Sequence, residues 1–405
     1  MQSFRSSSQS QDSPHTHDVV LGGESPAPSG GVILGGLWGV KSRLQSAAVP
    51  QRLAALSEAL HYGAEGLDLV IQALSDEAAP VQRLARLMLW RRPEPHVRQA
   101  LAEYSHFSLF DNLHTLAGHS EPVTALVLSR DGKLLFSAGG DKVIQIWHIP
   151  SGKLVRTLTG HTQIITALAL TPNGKTLISA SRDRTIKLWD LRGTIPCRTL
   201  TGHLGYVNSV SVAPDGKTLV TGSQDTTIKL WDLISGQEIR TMRGHTNLVD
   251  GVALSPNGRY IASCSWDTTI KIWDIHTGVM VWEFIGHSAR VLSFAISPDS
   301  KTLVSGSLDT TIKVWDLASG KAVRTLDGHW GWVKSLLISR DGQNLVSASY
   351  KVIKVWNLAT GAEVHTLNGH VDLINTIALS RDGQTLVSGG EDRKIHVWGI
   401  PHISV

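Results

Sequence analysis

The chain has 405 residues, 38 basic and 34 acidic side chains, a formal net charge of +4 and two cysteines. A body of this size buries about three quarters of its unfolded surface without a staple, and Cys197 and Cys264 sit in different repeats, so nothing suggests a disulfide framework and a reducing compartment is favoured. Lysines recur singly (Lys187, Lys229, Lys271, Lys313, Lys354) with no basic run, which argues against a nucleic-acid-binding face.

Residues 1–50 are rich in Ser, Gly and Pro, lack sustained periodicity and read as a disordered leader. One early Arg and no apolar run give no secretory signal. The most apolar stretch, Gly30 to Val40, has eleven residues, five of them Gly. A membrane span takes about 20 residues, so this stretch reads as a linker, or as a short docking peptide around Trp38. A cytoplasmic protein is expected.

Residues 51–104 change character. Leu53, Leu56 and Leu60, then Leu67, Val70, Ile71 and Leu74, recur at helical spacing. The run SDEAAPVQRLARLMLWRR opens with acidic residues, places Pro80 where a first turn tolerates it and closes on Arg91 and Arg92, as the helix dipole favours. Pro93 and Pro95 interrupt it, and Val97 to Leu101 begin a last short helix. The pattern D-E-x-x-x-V-Q-x-x-A resembles a HEAT-type helical pair. One such unit is too short for a solenoid. It either packs on the rest of the chain or binds a partner.

From about residue 107 to 400 the chain repeats itself. Gly-His pairs stand at His119, His161, His203, His245, His287, His329 and His370, spaced 42 residues five times and then 41. In each repeat three alternating apolar runs are separated by turn residues such as Pro172-Asn173-Gly174, and a fourth run leads to the next Gly-His. This is the period of one four-stranded propeller blade, so the fold class is all-β, a seven-bladed β-propeller preceded by a small helical segment.

Polar residues keep fixed offsets from each histidine. The sets are His119, Ser137, Asp141 and Trp147; His161, Ser179, Asp183 and Trp189; His203, Thr221, Asp225 and Trp231; His245, Ser263, Asp267 and Trp273; His287, Ser305, Asp309 and Trp315; and His370, Ser388, Asp392 and Trp398. On these residues the chain resembles the WD-repeat β-propeller family, and its near-identical repeats resemble those of bacterial, particularly cyanobacterial, members. The resemblance implies a structural tetrad in which Asp accepts from His, His meets the hydroxyl, and the hydroxyl meets the Trp N–H. Seven near-identical copies argue against hydrolytic triads or metal sites, because catalysis needs one activated nucleophile. No catalytic residue, cofactor or metal is expected.

The sixth repeat departs from the pattern, reading LVSASYKVIKVWN where the fifth has LVSGSLDTTIKVWD. One residue is missing before Ile353 and no turn Asp remains, so the set of His329, Ser347 and Trp356 should be incomplete. The last repeat holds three strands, and FDNLHTLAGH before His119 matches the fourth-strand run KLVRTLTGH. A strand near Leu113–Leu116 is therefore expected to complete the last blade and close the ring.

The family resemblance places the residues three and five after each His, and the one before each turn Asp, on one face. There the aromatics gather in one sector: Tyr206, Trp266, Trp330, Trp332 and Tyr350, with Arg290 and Lys334 among them. Trp, Tyr and Arg dominate binding hot spots. The expected function is a non-enzymatic scaffold for unidentified protein partners. A channel enzyme or small-ligand receptor would need a non-repeating polar set in the channel, and none is legible. A nucleic-acid-binding propeller is the remaining alternative.

Overall fold

The computed structural model describes residues 36–193 and 196–401, without the side chains of Pro196 and Cys197. They form two compact units, one ending at Leu109 and the other running from Phe110 to Pro401.

The first unit contains α1 (Gly36–Leu44), α2 (Val49–Ala59), α3 (Gly63–Gln72), α4 (Ala79–Leu89) and α5 (Pro95–Ala100). It starts earlier than composition indicates, and residues 36–50 are not a disordered leader. Val40 of α1 is fully buried with Leu56, Val70, Val81 and Leu89, and Arg43 donates two hydrogen bonds to Glu58 of α2 at 2.9 and 2.5 Å. The glycines disguise Leu37, Val40 and Leu44, which recur at helical spacing. Trp38 stays 77% exposed on this helix. Residues 1–35 of the expected leader lie outside the described residues. Pro50, Pro80 and Pro95 each sit in the first turn of their helices, where no N–H partner is lost.

The second unit is seven four-stranded antiparallel sheets. Blades 1 to 6 span Val123–Thr159, Ile165–Thr201, Val207–Met242, Val249–Phe284, Val291–Leu326 and Val333–Asn368, and blade 7 begins at Ile374. In each the strands run a to d outward from the ring axis. Strand b is buried along nearly all its length, as in Thr302–Ser307, because neighbouring blades cover both faces. This explains runs such as TLVSGS, whose small residues let blades approach. The apolar cores accordingly lie between blades: Phe136, Ile144 and Leu158 of blade 1 pack with Ile165, Leu177 and Trp189 of blade 2.

Blade 7 is completed from the other end of the unit. Asp111–Ala117 pairs antiparallel with Lys394–Gly399, setting Leu116 opposite Ile395, and Val387, Ile395 and Val397 share a core with Val123 and Leu135 of blade 1. Closure gives blade 7 its fourth strand and pairs the outer edge of Lys394–Gly399.

Side chains also tie the ring near its axis. Five residues after the blade histidine, Thr124 and Thr166 donate to the carbonyls of Ile165 and Val207 in the following blades. Asn208 and Asn375 donate to Val249 and Val123 at 3.0 Å. Deleting residues 1–109 is expected to leave a soluble propeller with cooperative melting, whereas deletion through Ala117 opens blade 7 and gives aggregation. Size-exclusion chromatography and thermal melts of both truncations check this, and a cooperative ring from the longer deletion contradicts it.

Candidate functional site

Two sets of polar groups sit in the propeller, one repeated in the blades and one not. In six blades the repeated set is complete. The His Nδ1–Asp distances are 2.7–2.8 Å. The Nε2–hydroxyl distances are also 2.7–2.8 Å. The Trp Nε1–H donates to the same hydroxyl at 2.8–2.9 Å. With Nδ1–H donating to the carboxylate, Nε2 accepts the hydroxyl proton, so the buried chain of donors is satisfied.

The carboxylates gain from this. Burial raises the Asp309 pKa, but Thr311 and His287 overcome it and hold the group down at about 2. Burial likewise opposes, and His and Thr outweigh, the deep lowering at Asp183 and Asp225. The Gly before each His has a steric origin: a Cβ on Gly118 would stand 2.6 Å from the Trp147 ring, and one on Gly244 2.9 Å from that of Trp273.

Blade 6 breaks the network. Ser349 pairs directly with Val352, leaving Tyr350 and Lys351 as the turn, and Tyr350 has a positive φ of 42° where Thr310 in blade 5 has 71°. His329 still meets Ser347 at 2.7 Å, and Trp356 donates to Ser347 at 2.8 Å. Yet His329 Nδ1 and Ser349 Oγ are buried without partners. Burial, with Lys354 nearby, pushes His329 down to about 4.

In blade 7, His370, Asp392 and His396 offer donor atoms within 4.8 Å of one another. Both His370 nitrogens serve the tetrad, and His396 Nδ1 lies 2.6 Å from Asn112 Nδ2. A cation there would have to displace the His370–Asp392 bond of the tetrad, and His396 Nε2 is buried without a partner.

The non-repeating set lies on the face carrying the Gly-His loops. Trp330 is 97% exposed and Trp332 50%. Their loop abuts the shortened turn, since a Cβ on Gly331 would lie 3.3 Å from Tyr350 Cβ. Tyr350 and Tyr206 are also exposed. Arg290 stacks over Trp266 at 3.7 Å and Arg182 over Tyr206 at 5.8 Å. The sector is thus two groups, Trp330–Trp332–Tyr350 on blade 6 and the Trp266–Arg290 pair across blades 4 and 5. Tyr206 has its own partner in Arg182, the residue before the turn Asp of blade 2.

Lys334 turns inward instead. It donates to Asn375 Oδ1 at 2.6 Å, and Asn375 in turn donates to Glu391 at 3.0 Å. It lines an axial cavity of about 380 Å³ with Thr124, Thr166, Asn208 and Asp250. Burial raises Asp250 to about 6 despite Lys334, the Trp266 indole, Arg182 and Arg290 around it. The Trp266 N–H is itself buried and faces Asp250. The channel therefore does hold a non-repeating polar set, contrary to the sequence reading. Asp250 and Lys334 occupy the position from which Thr or Asn ties blades elsewhere; Lys334 keeps such a tie, to Asn375 of blade 7, and only the fold reveals that the two share one cavity.

Because His329 is neutral when folded but titrates near 6.5 when unfolded, its contribution is complete above pH 6.5 and is lost as pH falls towards 4. The shift amounts to about 3 kcal/mol. Urea unfolding at several pH values is expected to show this decline, with a shallower slope for His329→Gln. An unchanged slope contradicts it. Amides of Val346 and Val355 in blade 6 are expected to exchange faster than those of Val304 and Val314 in blade 5; equal protection would count against the broken network.

Among known families, the model described as WD domain, G-beta repeat matches residues 110–148, 152–190, 194–232, 236–274, 278–316, 320–357 and 361–399. No curated protein matches the chain significantly. No helix among the described residues is long and apolar enough to cross a membrane. With seven matches falling on seven closed blades, the chain belongs to the WD-domain, G-beta-repeat family.

Proposed function

We propose that this protein is a non-enzymatic, cytoplasmic interaction scaffold that docks a protein partner on the Gly-His face over blades 3 to 6. The observation that carries the reading is the exposure of Trp330 and Trp332 beside Tyr350 and the Arg290–Trp266 stack. Large apolar side chains left in water on a rigid body stand ready to be covered. A closed ring holds them in place, so little conformational entropy is lost on docking. The family supports the same use, since its propellers commonly hold proteins. The helical unit, HEAT-like in sequence, offers a surface for a second partner.

One observation favours a second reading, a small charged ligand in the axial channel. Asp250, Lys334 and Glu391 sit in or beside a cavity and repeat in no other blade. This ligand would add to the rim site, because Arg290 and Trp266 border both.

Affinity capture from native lysate compares the wild type with a variant carrying Tyr206→Ala, Trp266→Ala, Arg290→Ala and Trp332→Ala. With melting temperature unchanged, a partner band is expected with the wild type and is lost in the variant, since hot-spot truncations cost about 2 kcal/mol or more each. A band retained by the variant contradicts the assignment of the face.

A further inference from the structure

The outermost strands carry a second set of ties between blades, made by an arginine in four of the seven; Trp282, His365 and His114 stand at the equivalent positions of blades 4, 6 and 7. In strand d, the residue opposite Ile146, Leu188, Leu230 or Val314 of strand c is an arginine. Each reaches across the seam to the turn after strand c of the next blade. Arg156 donates to the carbonyls of Leu191 and Gly193 at 2.9 Å. Arg198 donates to Leu233 and Ile234 at 3.3 and 2.7 Å, and Arg240 to His276 at 2.6 Å. Arg324 donates to Leu358 and Ala359 at 3.2 and 2.8 Å. The stems run against the turn glycine, so that a Cβ on Gly278 would stand 2.5 Å from Arg240 Cδ.

In blade 4 the same register position, opposite Ile272, is Trp282. Its ring covers the turn glycine of blade 5, with Cε3 at 3.7 Å from a Cβ on Gly320. No side chain among the described residues donates to the carbonyls of Leu317 or Ala318, the counterparts of Leu358 and Ala359. A cavity of about 290 Å³ lies between blades 4 and 5, lined by Tyr260, Ile272, Trp282, Ile296, Leu317 and Ala318, with Lys301 also on its wall; its counterpart between blades 3 and 4, about 510 Å³, has Arg240 on its wall. Trp282 remains 42% exposed, and Val281 and Ile285 beside it are 42% and 71% exposed. The inner tie is absent at this seam too, because Asp250 stands where Thr124 and Asn208 donate elsewhere.

We propose that the seam between blades 4 and 5 binds an arginine side chain presented by a partner polypeptide. The guanidinium donates to the Leu317 and Ala318 carbonyls, as the chain's own arginines do at four other seams. The alkyl stem lies on Ile272 and Ile296, and the Trp282 ring supplies a cation–π face. A planar fork meets two adjacent carbonyls as an ammonium cannot, and the Lys301 charge sets the affinity of a single residue low. The site is on the outer seam and does not depend on the rim assignment.

The test titrates the full-length protein with Nα-acetyl-arginine N-methylamide and its citrulline counterpart, an uncharged near-isostere. The readout is the Trp282 indole N–H resonance, assigned by its loss in Trp282→Phe. A saturable shift with the arginine compound is expected, with a Kd on the order of millimolar, and the citrulline compound should bind at least about tenfold more weakly. In Trp282→Arg the chain supplies its own guanidinium, so the melting temperature rises and the methyl-resonance shifts of Ile272 and Ile296 on titration disappear. Equal response to arginine and citrulline, no saturable shift of Trp282, or a lowered melting temperature in Trp282→Arg would each overturn the proposal.

Discussion

Everything in the propeller depends on one buried hydroxyl per blade. In strand b a Ser or Thr stands fully buried between an imidazole and an indole, and it serves both at once, donating to Nε2 and accepting from Nε1–H. Taking three polar groups out of water is costly unless each finds its partner. The requirement fixes the rest of the motif: Asp must hold the imidazole tautomer, Trp must reach inward, and Gly must leave space for the Trp ring. The same residues peg the Gly-His loop and the b–c turn, and those loops form the face on which the non-repeating side chains stand. Stability and presentation therefore share one origin.

The ring distributes its joints at two radii. Near the axis, Thr or Asn donates to the next blade, and at the outer edge an arginine does. The apolar cores lie between these two ties. Between blades 4 and 5 both are lacking, and Trp282 lines the seam where an arginine would stand. Where the tetrad loses its Asp, in blade 6, the turn shortens and brings Tyr350 beside the Trp330–Trp332 loop. Departures from the repeat are thus of two kinds. One removes a tie, and the other reshapes the rim.

Much of the fold was legible because the propeller is periodic: four apolar runs per Gly-His spacing specify a blade, and constant offsets from the histidines specify its polar network. Sequence alone was weaker where periodicity stopped. Helix α1 was hidden by glycines among Leu37, Val40 and Leu44, whose burial depends on α2. Asp250 and Lys334 are separated by two blades in the chain, and only the closed ring places them in one cavity. Arg182 precedes a turn Asp as its counterparts do, and only the fold shows its stack on Tyr206. Trp282 looked like any strand residue because its significance lies in what the four equivalent arginines do, and that requires the register. Residues that repeat announce their role in sequence, whereas those that do not acquire it through the fold.

The central claim is that the repeated polar residues exist to hold the blades. Its most direct test is equilibrium urea unfolding of Ser305→Ala. Removing that hydroxyl leaves His287 Nε2 and Trp315 Nε1–H buried without a partner, and each orphan costs about 1–3 kcal/mol. A loss of about 2–4 kcal/mol is therefore expected. Stability unchanged to within about 0.5 kcal/mol, the size of an ordinary surface substitution, would contradict the account and return the His-Ser-Asp sets to consideration as chemistry.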